Sequence, residues 1–85
     1  MGKEDLNLKE IKDLANMFSL NEINACIDNQ LQDGKNICFT GDSTDEIINV
    51  LSKAEFVKSQ MEEGLSLLEA VRELAKRIRN VYLDK

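Results

Sequence analysis

Apolar residues recur along this chain at helical rather than strand spacing. The strongest pattern lies in 64–82, where Leu67, Ala70, Val71, Leu74, Ile78, Val81 and Tyr82 stand at i, i+3, i+4, i+7, i+11, i+14 and i+15. At about 3.6 residues per turn they form one continuous stripe. The rest of the chain is expected to cover it, which makes this segment the expected central packing helix. Ile47, Val50, Leu51, Ala54, Val57 and Met61 hold a second stripe in one phase up to Gly64. That coherence favours a single long helix of about five turns, while Ser52-Lys53-Ala54-Glu55 offers an alternative cap that would divide it. Two shorter patterns precede it. Leu8, Ile11, Leu14, Ala15 and Phe18 predict a first helix ending near Phe18, and Leu20, Ile23, Ile27 and Leu31 a second over about Leu20 to Gln32.

Capping chemistry divides the chain at the same places. Asn7–Glu10, Ser19–Glu22, Ser43–Glu46 and Ser66–Glu69 each have the form of a capping box, in which a short polar side chain and a Glu three residues on satisfy each other's backbone N–H. Asp33-Gly34 and Gly64 supply left-handed stops. Between the second and third helices, Lys35 to Asp42 breaks the helical period, and Ile37-Cys38-Phe39-Thr40 has β-type composition. It reads either as an extended connection whose Ile37 and Phe39 plug the helical core, or as a strand that pairs with its copy in a second chain, since a lone strand leaves unpaired backbone groups. The expected fold is therefore all-α, a four-helix bundle-like single domain over 1–85 with a short extended segment at about 35–42. Helices 1–2 and 3–4 should form antiparallel pairs, with the 3–4 hairpin at the centre.

Composition refines this picture. Trp and Pro are absent and aromatics are few, so aliphatic side chains must supply most of the core. The net charge of −5 is unevenly spread. Ser66 to Lys85 carries five basic and three acidic residues, whereas Met1 to Leu65 carries six basic and thirteen acidic ones. An acidic surface disfavours nucleic acid, whose contacts work through phosphate neutralisation. The basic set Arg72, Lys76, Arg77 and Arg79 is the place where that expectation could be locally reversed; Glu73–Arg77 is also a favourable i, i+4 pair. The beginning of the chain is acidic where a secretory leader would be basic, and no stretch approaches the ~20 apolar residues of a membrane span.

Candidate chemistry is sparse. The chain has no His, so Ser-His-Asp and Cys-His arrangements cannot be built. Ser43 in Gly41-Asp42-Ser43 is expected to be a helix cap rather than a nucleophile. Asp42, Asp45 and Glu46 could hold a divalent cation, but they lack EF-hand order and sit where a helix N-terminus favours acids. No phosphate-cradling glycine loop occurs. Cys26 and Cys38 form no CxxC, are too few for a zinc site and do not read as a disulfide framework. Both are expected as buried free thiols of a reduced, cytoplasmic protein. Neither catalysis, a cofactor nor a metal is expected.

The order of extended segment, helix, Gly64-Leu65-Ser66 and helix resembles ribbon-helix-helix DNA-binding proteins over Asn36 to Tyr82. In that family a strand pairs across a dimer and lies in the major groove; here the strand would offer Asn36, Cys38 and Thr40 on one face. The chain is not assigned to the family on this likeness. The leading functional expectation is a small cytoplasmic protein–protein interaction or regulatory module that self-associates, with Ile48, Phe56, Arg72, Lys76 and Arg79 as its candidate partner surface. The alternative is a DNA-binding regulator, ribbon-helix-helix or helix-turn-helix-like, using the basic face of the last helix.

Overall fold

A computed structural model describes residues 8–83, with side chains through Ile78. Among the described residues four helices follow in order: α1 (Leu8–Met17), α2 (Leu20–Asp33), α3 (Thr44–Glu62) and α4 (Leu67–Leu83). No strand occurs among the described residues. The all-α expectation holds, and α3 runs unbroken through Ser52.

Local chemistry accounts for most of the boundaries. Ser19 and Ser66 make the reciprocal boxes expected of them: Ser19 Oγ accepts from the Glu22 N–H at 3.1 Å while Glu22 Oε1 accepts from the Ser19 N–H at 2.8 Å. The Ser66–Glu69 pair repeats this at 3.1 and 2.9 Å. Ser43 caps α3 by accepting from the Glu46 N–H, but the Glu46 carboxylate accepts from the Asp42 N–H at 2.9 Å instead of completing a box. Asn7, the first expected cap, lies outside the described residues. At the other end of α3, Gly64 donates to the Met61 carbonyl and Leu65 to that of Gln60, the paired reverse bonds of a Schellman stop. The φ of +114° at Gly64 lies in the region that side chains oppose.

The arrangement around these helices differs from the expected one. α3, not α4, is the central element: α1, α2 and α4 all pack on it, while α1 and α2 share no extended interface. The pairing of helices 1 and 2 is thus replaced by two separate dockings onto α3. The reason lies in how much of α3 is apolar. Ile47, Val50, Leu51, Ala54 and Val57 are all buried, Met61 packs beside them, and Phe56 adds an apolar group off the stripe. α4 contributes Ala70, Val71 and Leu74 to the same core, and α1 contributes Ile11, Leu14 and Ala15. Val81 and Tyr82, which extend the predicted α4 stripe, have side chains outside the described set.

α2 departs most from its pattern. Leu31, assigned to the buried stripe, is 63% exposed, and Gln30 beside it is 2% exposed. The buried line is Ile23, Cys26 and Gln30, about one residue's rotation from the one periodicity selects.

Leu51→Ala removes a fully buried branched side chain at the centre of this arrangement. It should lower unfolding stability by about 2–5 kcal/mol, whereas Met17→Ala at the exposed end of α1 should change it by less than about 0.5 kcal/mol. Urea titration followed by circular dichroism measures both.

Candidate interaction surfaces

The connection between α2 and α3 is fixed by a polar cluster and a covalent bond. Gln30 donates through Nε2 to Thr44 Oγ1 at 2.9 Å and accepts through Oε1 from Asn36 Nδ2 at 2.8 Å. Asn36 Oδ1 in turn accepts from the Cys38 and Phe39 N–H groups at 2.8 and 2.9 Å. A buried amide is tolerated only when its hydrogen bonds are made, and here each end of the Gln30 side chain has a partner. Gly34, at φ +77°, ends α2 and donates to the Gln30 carbonyl, which turns the chain back across the helix it has just left.

That return brings Cys38 onto Cys26, with Cα atoms 6.1 Å apart, and the two are disulfide-bonded. The expectation of two free thiols is corrected. Cys26 lies beside the Leu20, Ile23, Ile27 and Leu31 stripe, and the buried face of α2 turns toward it because it carries both this bond and Gln30. The core-plug reading of the connection holds for Phe39, which packs against the core, and fails for Ile37, which is 88% exposed. Within the chain this segment is not a strand, and its Cys38 and Phe39 N–H groups, which a ladder would use, are bonded to Asn36.

The candidate partner residues fall into different settings. Phe56 packs against the core, and the Arg77 guanidinium lies 4.9 Å from its ring centroid. Such a cation–π contact at an exposed site contributes about 0.5–1 kcal/mol. Phe56 is therefore half-covered by α4. Arg77 is engaged there, and Glu73 pairs with Lys76 at 3.4 Å in place of the expected Arg77. Ile48 is half-buried on α3.

Arg72 and Lys76 do share a surface. Both are exposed on the outer side of α4, where they line a shallow depression with Glu69, Glu73 and Ala75. Leu68, 56% exposed, lies one turn before Arg72 on this side. The side chain of Arg79 lies outside the described residues. Leu68 was missed because it is adjacent to Leu67, which belongs to the buried stripe; its place four residues before Arg72 is the signal that marks it. Asp42, Asp45 and Glu46 do not converge on a point, and among the described residues no three His, Cys, Asp or Glu side chains are gathered as metal ligands. No known protein family, curated protein or solved structure matches the chain.

Asn36→Ala deletes the acceptor of two backbone N–H groups and leaves the buried Gln30 oxygen without its donor. Unfolding stability should fall by about 1–3 kcal/mol. The double variant Asn36→Ala/Gln30→Leu should recover part of that loss, since it removes the orphaned group as well; denaturant midpoints of the two variants check this.

Proposed function

We propose that the chain is a small helical interaction module that self-associates, with the outer face of α4 as its contact surface. The observation that carries this reading is the two-sidedness of α4. One side buries Ala70, Val71 and Leu74, while Leu68, Arg72, Ala75 and Lys76 stand exposed on the other. Leu68, Arg72 and Ala75 fall at i, i+4 and i+7, which makes a single stripe of apolar and cationic contacts. Arg79 continues that stripe in sequence.

Charge complementarity favours a second copy as the occupant. The segment from Ser66 onward has a formal charge of +2, whereas the preceding sixty-five residues carry −7. A basic helix face on one molecule and an acidic body on another attract each other, and Leu68 and Ala75 add apolar area to be desolvated at contact. The proposal concerns binding rather than catalysis. No helix among the described residues is long and apolar enough to cross a membrane. A cytoplasmic location is part of the proposal and requires the Cys26–Cys38 bond to be reversible, because disulfides in that compartment are transient.

Exposure of Arg72 and Lys76 also supports a second reading, a DNA-binding regulator that uses this face. The acidic remainder of the chain opposes it, as phosphate contact would bring that charge toward the duplex.

Sedimentation velocity across protein and salt concentration distinguishes the readings. A concentration-dependent dimer is expected that weakens as salt rises, and the Arg72→Glu/Lys76→Glu variant should raise its dissociation constant by about tenfold or more, equivalent to about 1.4 kcal/mol, with helicity unchanged. A strict monomer at every concentration rejects self-association. Failure to bind duplex DNA at low salt, where electrostatic binding is strongest, rejects the regulator.

A further inference from the structure

We propose that the Cys26–Cys38 bond is a reversible thiol–disulfide exchange site, opened by a low-molecular-weight thiol that attacks the sulfur of Cys38. The two halves of the bond are not equivalent. Cys26 lies on α2 within the core and is 3% exposed. Cys38 is half-buried in the connection, between exposed Ile37 and half-buried Phe39, with Thr40 exposed beyond. Exchange begins when a thiolate reaches one sulfur and the other departs, so access decides which half is attacked. Here access selects Cys38.

The chemistry balances with two equivalents of thiol. The first, as its thiolate, bonds to Cys38 Sγ; the bond to Cys26 breaks, and Cys26 Sγ leaves with the electron pair and takes up a proton. The second attacks the mixed disulfide at the small thiol's sulfur, releasing Cys38 as a thiol and the small molecule as its symmetrical disulfide. The protein bond is reduced by two electrons, and two small thiols are oxidised. In the intermediate, Cys26 remains fixed on α2 beside the segment that carries Cys38, so it is the resolving thiol: its attack on Cys38 expels the small thiol and restores the bond.

Opening is local in this fold. Apart from Cys26, the buried apolar side chains of the core come from residues of α1, α2, α3 and α4 that the bond does not join. What changes is the connection, which then depends on Asn36, with its bonds to Gln30, Cys38 and Phe39, on Phe39 packing and on the Glu46 bond to Asp42. Its amides should become more labile without loss of the helices.

The test incubates the oxidised full chain in glutathione buffers of graded reduced-to-oxidised ratio, quenches with an alkylating agent and maps the adducts by mass spectrometry. The glutathione adduct should favour Cys38 over Cys26 by about tenfold or more. Far-UV circular dichroism should keep its helical signal through the reduction, while amide exchange at Cys38 and Phe39 accelerates. The single variants separate access from ring closure: Cys38 in Cys26→Ser should take up glutathione from its disulfide at least about tenfold faster than Cys26 in Cys38→Ser. The mapping on the unsubstituted chain stands if either variant fails to fold. Adduct on Cys26, equal labelling of both sulfurs, reduction only together with loss of helicity, unchanged amide exchange, or two thiols that stay free in oxidised glutathione would each overturn the proposal.

Discussion

The structure depends on the burial of α3. Its inward residues Ile47, Val50, Leu51, Ala54 and Val57 span roughly a third of the helix circumference, and Phe56 adds an apolar group away from that arc. A single neighbouring helix cannot cover so wide a surface. α1, α2 and α4 each take a part of it, and the fold is the packing of three helices around a fourth. Ala54, fully buried at the midpoint, is small enough for neighbours to approach the backbone closely there. The ion pairs contribute little beside this, since Lys9–Asp13 and Lys76–Glu73 both lie in solvent.

What could be read from the chain is what local chemistry determines. The stripes of α1, α3 and α4 keep a constant phase, and every assigned residue with a described side chain on them is buried or packed against the core. Ser19, Ser43 and Ser66 cap where a hydroxyl and a following Glu placed them, and Gly34 and Gly64 stop helices in the left-handed conformation that suits glycine. Periodicity identifies a buried face without stating how many neighbours share it. For that reason the cleanest stripe points to α4 as the centre, although the broader apolar surface of α3 holds that place.

The rest was hidden because it depends on partners far along the chain. Gln30 is buried only because Thr44, fourteen residues later, and Asn36, six later, meet its amide. Without them the usual preference would have kept Leu31 inside. Cys26 gained its meaning from Cys38, and spacing alone did not reveal that Gly34 would fold the connection back over α2. Ile37 is exposed for the same reason, because a segment anchored through Asn36, Cys38 and Phe39 has no inward position left for it. The candidate surface was legible in part: Arg72 and Lys76 are where helical spacing put them, whereas Phe56 was claimed by Arg77.

The closed ring from Cys26 to Cys38 also alters what backbone continuity means in this molecule. Within the ring two covalent routes join the α1–α2 half to the α3–α4 half, one through the peptide chain and one through sulfur. Lys35 and Ile37, both exposed, lie on the peptide route. A protease that cuts there converts one chain into two polypeptides without separating them, and a denaturing gel shows two bands only after a reductant is added.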